Sequence, residues 1–367
     1  MRLYPGEGGG APGGGVKPEP RRVTILGIGQ MGLVIAGVLA CARGRGAAER
    51  ASAEVVMWSH DPEEAGALTQ TRTSPKLRGF VLHESIRVSS DLKKALDGAD
   101  LVVSAVPVQV NREVWKKVRG KIPPPAAAGI VSVGKGIENE TLLRPSQVIA
   151  EALADDPDAR PRPIGVLSGP TIAAELARGL PATMIAASDA PGFAQVLQRT
   201  FATSYLRIYT NDDMIGVELA GAMKNVIAIA AGVLDGLQAG YNAKSALLSR
   251  GLAEITRLGV AMGASTDTFF GLAGVGDLAT SCFSPEGRNR SCGEALGRGQ
   301  TLAEHLKKSP YVVEGVATAR SVVDLAKKYR VEMPITQAVF ATLYEGLDPI
   351  EGIGRLMSRE QKAERVG

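Results

Sequence analysis

The spacing of apolar and polar positions changes once along the chain. Up to about residue 210, short apolar runs rich in Val and Ile alternate with stretches of helical period. The runs are 53–60, 97–109, 127–138, 163–176, 182–188 and 206–210, preceded by "RRVTIL" at 21–26. Several of them end in glycine-containing turns, and the third ends at Val106-Pro107. Apolar strands alternating with helices predict a parallel, doubly wound sheet. Beyond Asn211 every periodic segment is helical: 213–235, 243–262, 290–298, 301–307, 314–329, 334–346 and 349–363. The pattern therefore predicts an arm over 1–20, an α/β Rossmann-like dinucleotide-binding domain over 21–210, and an all-helical substrate-binding domain over 211–367, with no internal repeat.

Composition adds limits. The 367 residues suit about two domains. A hydrophobic content of 45% with 22% charged residues is that of a globular protein with ample core. The first twenty residues, rich in Gly and Pro, lack the apolar stretch of a signal peptide and predict disorder. No apolar run is long enough to span a bilayer without interruption, so stable membrane insertion is not expected. The formal charge of +4 is mild and unclustered, which points away from nucleic acid and is compatible with a small anion. Cys41, Cys282 and Cys292 follow no metal-binding spacing, which fits free thiols in a reducing compartment and no metal site.

Gly27-Ile28-Gly29-Gln30-Met31-Gly32 forms GxGxxG between a strand and a helix. Gly27 permits a tight turn, Gly29 lets a pyrophosphate approach the backbone, and Gly32 lets helix and strand pack closely. The helix start adds N–H donors for phosphate. The second strand ends Trp58-Ser59-His60, with Asp61 one step later than the acidic residue that grips a ribose diol. NAD and NADP are both compatible with that ending.

The segment "VELAGAMKNVIAIAAGV", 217–233, reads as a helix buried all round, yet it contains Lys224 and Asn225. A buried ammonium must be solvated, paired or deprotonated. Glu218, Gly221, Lys224/Asn225, Ala228 and Gly232 recur at three-to-four spacing, leaving room for something to lie against the helix. A lysine snorkelling to the surface is the plain alternative. Lys135 follows a strand in Gly134-Lys135-Gly136, where ligands bind in open sheets, although loop lysines are commonly only solvated. Asp277 lies in the glycine-rich "GLAGVGDLATSC", where an N-cap role is the simpler one. Arg288 and Asn289 precede a helix, a setting equally suited to capping and to an anion clamp. A dinucleotide, two lysines, a carboxylate and an anion clamp together suggest hydride transfer on a small phosphorylated substrate.

"VELAGAMKNVIAIAAGVLDGLQAGYNAKSALLSRGLAEITRLG" closely resembles the signature segment of NAD(P)-dependent glycerol-3-phosphate dehydrogenases of the soluble, bacterial type. "SVGKGIE", "VLSGPTIAAELARGLPATMIAAS", "GVGDLATSCFSPEGRNR", "VVEGVATA" and "LYEGLDP" extend the likeness over most of residues 22–360. The resemblance implies a Rossmann domain with a helical domain, NAD or NADP as cofactor, a cytoplasmic homodimer, and dihydroxyacetone phosphate and glycerol 3-phosphate as small-molecule substrates, the product feeding glycerophospholipid synthesis. By motif, the proton-transferring lysine falls on Lys224, and the lysine shared by cofactor and substrate on Lys135. Gly169, Thr171, Asn225, Asp277, Ser281, Arg288 and Asn289 fall on substrate positions, and Asp277 is also catalytic, orienting Lys224. Gln30, Met31, Ala173, Val312 and Glu314 join the turn glycines and His60 as cofactor positions, with Arg288 near the cofactor as well.

The likeness has departures. Met31 stands where the family often has Trp, Gly287 where it often has Ser, and Ser281 where Thr is frequent. His60 replaces an Arg that could pair with a 2′-phosphate at any pH; histidine does so only when protonated. A dehydrogenase for another small anion, such as a 3-hydroxy acid, would share the glycine turn and a lysine but not "GRNR". A non-catalytic nucleotide sensor would have no use for Lys135, Lys224 and Asp277 together.

Overall fold

A computed structural model describes residues 19–41, 53–125, 128–155, 161–361 and 363. The expected arm lies outside the described residues except for Glu19 and Pro20. The first part of the chain runs β1 (Arg22–Leu26), α1 (Gln30–Cys41), β2 (Glu54–Trp58), α2 (Pro62–Thr71), β3 (Arg87–Ser89), α3 (Leu92–Leu96), β4 (Leu101–Ser104) and α4 (Val108–Val118). It continues through β5 (Gly129–Ser132), α5 (Pro145–Leu153), β6 (Ile164–Ser168), α6 (Ala173–Ala177), β7 (Ala182–Ser188), α7 (Phe193–Phe201) and β8 (Leu206–Asn211). Helices follow: α8 (Met214–Gly236), α9 (Gly240–Ala261), α10 (Thr266–Phe270), α11 (Asp277–Phe283), α12 (Arg288–Gly297), α13 (Leu302–Lys308), α14 (Glu314–Tyr329), α15 (Pro334–Tyr344) and α16 (Pro349–Met357). A π-helical turn, Leu272–Gly276, leads into α11.

The eight strands form one sheet in the order β3-β2-β1-β4-β5-β6-β7-β8. The pairs β1–β2, β1–β4, β2–β3, β4–β5, β5–β6 and β7–β8 are parallel. Strand order reverses beside β1, so the ends of β1 and β4 mark the switch point where such sheets bind ligands. Both sheet faces are covered. Val23, Ile25, Met57, Val103 and Val131 pack on one side with α1, whereas Leu26, Val56, Trp58, Val102 and Ile130 pack with Trp115 on the other. Polar groups within these layers are paired: Thr24 donates to the Ala95 carbonyl at 2.5 Å, and Trp115 Nε1 to Ser104 Oγ at 3.0 Å.

The chain divides into two compact units. One contains Met1–Gly134, Ser146–Leu167 and Thr171–Met214; the other contains Lys135–Pro145, Ser168–Pro170 and Ile215–Gly367. Two short segments that follow β5 and precede or follow β6 in sequence thus group with the helices. Of the helical segments, 349–363 is shorter than its period suggests, ending at Met357. Strand β3, α10 and the π turn carry too few residues for a periodic signal. Among the described residues one helix, Met214–Gly236, is long and apolar enough to cross a membrane, but 89% of its most apolar window is buried within the protein.

Candidate active site

The glycine turn lies between β1 and α1, where the strand order reverses. Gly27 has φ +107°, and a Cβ there would stand 2.6 Å from the Ala105 carbonyl oxygen at the end of β4. At Gly32 a Cβ would collide with the Gly27 carbonyl oxygen. A Cβ at Gly29, by contrast, would meet nothing within 4 Å. The turn is thus packed at its two ends and open at its middle, where a pyrophosphate needs backbone access. Gln30 and Met31 begin α1, whose first-turn amides complete an anion-binding end. Those features fit a dinucleotide.

His60 follows β2 and is exposed. Asp61 is the N-cap of α2, its Oδ1 accepting from the amides of Glu63 at 2.9 Å and Glu64 at 3.4 Å. Glu64 is ion-paired with Lys76. Asp61, the first carboxylate after β2, is therefore engaged in capping α2. Thr171 and Ala173 lie in the same unit, Thr171 after β6 and Ala173 at the start of α6, where Ala173 and Met31 both pack against the larger core cluster.

In the helical unit, Lys135, Gly169, Lys224, Asp277 and Ser281 meet. Asp277, buried at the first turn of α11, bridges two lysines. Its Oδ2 accepts from Lys135 Nζ at 2.6 Å and its Oδ1 from Lys224 Nζ at 2.9 Å. Lys135 Nζ also donates to the Gly169 carbonyl at 2.9 Å, and Lys224 Nζ to Ser281 Oγ at 2.6 Å. Each ammonium has three protons. Among the described residues two directions on each are thus accounted for, leaving one for a ligand. Burial lowers the Lys135 pKa to about 8, helped by the charges of Lys224 and Arg288 and opposed by Asp277. Asp277 does not cap α11 with its side chain; the preceding π turn turns it inward to the lysines.

Other contacts set the position of the Lys135 segment. Arg144 and Glu218, each side chain 2% exposed, form an ion pair joining that segment to α8. Ser321 Oγ of α14 donates to the Ile137 carbonyl at 3.1 Å. Asn225 Nδ2 donates to the Lys135 carbonyl at 3.0 Å, and its Oδ1 accepts from Asn289 Nδ2 at 2.9 Å. Asn289 Oδ1 in turn accepts from the Gly315 amide at 2.9 Å. Two side-chain amides therefore connect Lys135 to the start of α14, the segment that carries Val312 and Glu314. Arg288 Nη1 donates to the Val312 carbonyl at 3.3 Å, and the Arg288 side chain is exposed at the start of α12.

The small residues along α8 have a definite occupant. A Cβ at Gly232 would overlap the Arg290 carbonyl oxygen, and one at Gly236 the Glu294 carbonyl oxygen. Reciprocally, Gly293 and Gly297 of α12 lie against the backbone of Ile229 and Val233. Helix α12 is what lies on the lower part of the stripe. Farther up, Gly221 faces Ser168 Oγ and the Lys135 side chain, which a Cβ would meet at 2.9 and 3.5 Å. The buried Ser168 hydroxyl has no hydrogen-bond partner among the described residues. Gly232 belongs to the stripe that helical spacing marks, whereas Ser168, Gly236, Gly293 and Gly297 carry no sequence reading; the Gly293 and Gly297 spacing on a short polar helix is the available signal.

Two family models cover the chain, the NAD-dependent glycerol-3-phosphate dehydrogenase N-terminus over residues 22–194 and the corresponding C-terminus over 213–354. The chain belongs to this dehydrogenase family. It is 44% identical to glycerol-3-phosphate dehydrogenase [NAD(P)+] 1 of Salinibacter ruber, over 93% of this chain and 96% of the relative. It is 42% identical to the glycerol-3-phosphate dehydrogenase [NAD(P)+] of Macrococcus caseolyticus, over 94% of this chain and 99% of that one. A crystal structure of glycerol-3-phosphate dehydrogenase from Coxiella burnetii is similar at TM-score 0.85 and 34% identity, covering 93% of this chain and all of the other.

Proposed function

We propose that this member of the dehydrogenase family interconverts dihydroxyacetone phosphate and sn-glycerol 3-phosphate with NAD(H) or NADP(H). The observation that carries the reading is Asp277 held between Lys135 and Lys224, with one N–H direction on each lysine left over. Two ammonium groups against one carboxylate leave a local excess of one positive charge. That excess suits a ketone oxygen that gains negative charge as it is reduced.

The glycine turn of Gly27, Gly29, Gln30, Met31 and Gly32 would hold the dinucleotide, with His60, Ala173, Val312 and Glu314 as further contacts. When bound, the nicotinamide supplies the hydride for the C2 carbonyl carbon. Lys224 gives a proton to the carbonyl oxygen and is held in place by Asp277 and Ser281. Lys135, fixed by Asp277 and the Gly169 carbonyl, adds charge beside the same oxygen. Arg288 holds the phosphate with Asn289, and Gly169, Thr171 and Asn225 complete the substrate contacts. Binding the phosphate orients the carbonyl as well as retaining the substrate. The lowered pKa of Lys135 favours a second reading in which Lys135 supplies the proton and Lys224 the charge.

The product would feed glycerophospholipid synthesis. Family resemblance supports a homodimer, and the free thiols Cys41, Cys282 and Cys292 suit a cytoplasmic setting. The deciding assay follows nicotinamide absorbance when dihydroxyacetone phosphate is added to enzyme with NADH or NADPH. Oxidation of the cofactor only with this ketone is expected. Cofactor binding without turnover would mark a sensor, and turnover only with another anionic ketone would redirect the substrate assignment.

A further inference from the structure

Asp235 lies next to the last residue of α8, where the negative end of the helix dipole disfavours a carboxylate. Two cations offset that conflict. Lys244 of α9, 7% exposed, donates to both Asp235 oxygens, at 2.7 and 2.8 Å, and its Nζ lies 5.0 Å from the Phe283 ring centre. Arg290 of α12 pairs with Asp235 Oδ2 through Nη1. The same guanidinium donates from Nε to the Ser284 carbonyl at 2.8 Å and reaches Glu294 at 3.1 Å through Nη2.

One carboxylate thus ties the end of α8, the first turns of α9, and the start of α12. Through Arg290 it also holds the 284–287 turn, which joins the helix of Asp277 and Ser281 to Arg288. Cys282 is buried in α11, and burial pushes its thiol up to about 12, with the charges of Lys224 and Lys244 opposing the rise and those of Asp235 and Asp277 adding to it. A partly buried network of this kind is weakly stabilising compared with apolar packing, but it is directional. Its geometry constrains the residue two positions after Arg288, in the same helical turn.

We infer that Asp235, through Lys244 and Arg290, is the positioning residue for the phosphate clamp at Arg288 and Asn289. This rests on the proposed reading of that clamp. Seam glycines set how closely α12 approaches α8; the Asp235–Arg290 pair sets its rotation and its shift along the axis. That setting decides where the Arg288 fork and the first amides of α12 point.

The test compares Asp235→Asn and Arg290→Lys with wild type, on dihydroxyacetone phosphate and on unphosphorylated dihydroxyacetone. Arg290→Lys keeps the charge but cannot bridge Ser284 and Asp235 in one plane, so it carries the test if Asp235→Asn does not fold. Loss of kcat/KM on the phosphorylated ketone of about tenfold or more is expected, the scale of one charge-assisted contact. The unphosphorylated ketone should lose less than about twofold, because a displaced clamp matters only to a substrate that uses it. In an Arg288→Ala background the Asp235→Asn loss should shrink, since residues acting through one group are not additive. Equal losses on both ketones, full additivity with Arg288→Ala, or wild-type kinetics in both variants would overturn the inference. If Arg288→Ala itself penalises both ketones equally, the clamp reading falls and the inference with it; if Arg288→Ala is selective for the phosphorylated ketone while Asp235→Asn is not, the inference alone falls.

Discussion

Replacing Gly232 by Ala tests whether the seam between α8 and α12 builds the site. The added Cβ would overlap the Arg290 carbonyl oxygen and stand 2.7 Å from the Glu294 amide nitrogen. An ordinary carbon–oxygen approach is no closer than about 3.3 Å, so the two backbones must part by about 1.4 Å. Helix α12 carries Arg288 and Asn289, and Asn289 now donates to Asn225 at 2.9 Å. A retreat of that size takes this bond past the ordinary hydrogen-bond limit and displaces the clamp from Lys224. Overpacking costs about 1–3 kcal/mol, against which alanine's helix propensity returns about 1 kcal/mol at most. A displacement of about 1 Å at a reacting centre costs on the order of 10²-fold in rate. The net expectation is a modest fall in thermal stability with a far larger fall in kcat/KM for dihydroxyacetone phosphate. Gly354→Ala on α16 is the control, since a Cβ there meets nothing within 4 Å. It should raise stability by up to about 1 kcal/mol and leave turnover alone. Near-normal kcat/KM in purified Gly232→Ala would refute the reasoning, because the clamp would then not depend on the close seam.

Lys224→Ala should fold and lose turnover by about 10²–10⁴-fold, the range of a general acid; retained turnover, with Lys135→Ala inactive, would assign the proton to Lys135 instead. Lys135 titrates near pH 8, below the 10.5 of a free lysine, so kcat/KM should fall as pH rises through about 8 and its charge is lost. Its contribution to stability has the opposite sign: between those two pH values the unfolded chain binds the extra proton, so stability rises with pH, and Lys135→Met should remove that rise from denaturation measured across the window. His60→Arg should shift the ratio of cofactor specificity constants toward NADPH by about 1.5–3 kcal/mol, and an unchanged ratio would place His60 away from the 2′ position. The alternative cations in that case, Arg43 and Arg45, lie outside the described residues.

The alternation of strand and helix up to β8, the single change of period near Asn211, and the glycine turn were all legible in the chain. They depend on local periodicity and backbone sterics, which neighbouring residues specify by themselves. Lys224 was legible for a related reason: a lysine within an apolar helix is a local contradiction that calls for a partner. Spacing and periodicity do not name its partner; only the family resemblance sets Asp277 beside it. Lys135 and Asp277 are 142 residues apart, and no spacing rule connects a loop lysine to a carboxylate that resembles an N-cap. Only the folded chain shows that Lys135–Pro145 and Ser168–Pro170 group with the helices and that the π turn directs Asp277 inward. The small-residue stripe shows the same division. Its existence on α8 follows from helical spacing alone, whereas its occupant, the backbone of α12, is decided by close packing between segments about 60 residues apart, as the Asn225–Asn289 separation of 64 illustrates. Local periodicity determines which faces must be buried; which surface buries them is a property of three-dimensional fit, and here that fit brings the charged groups together.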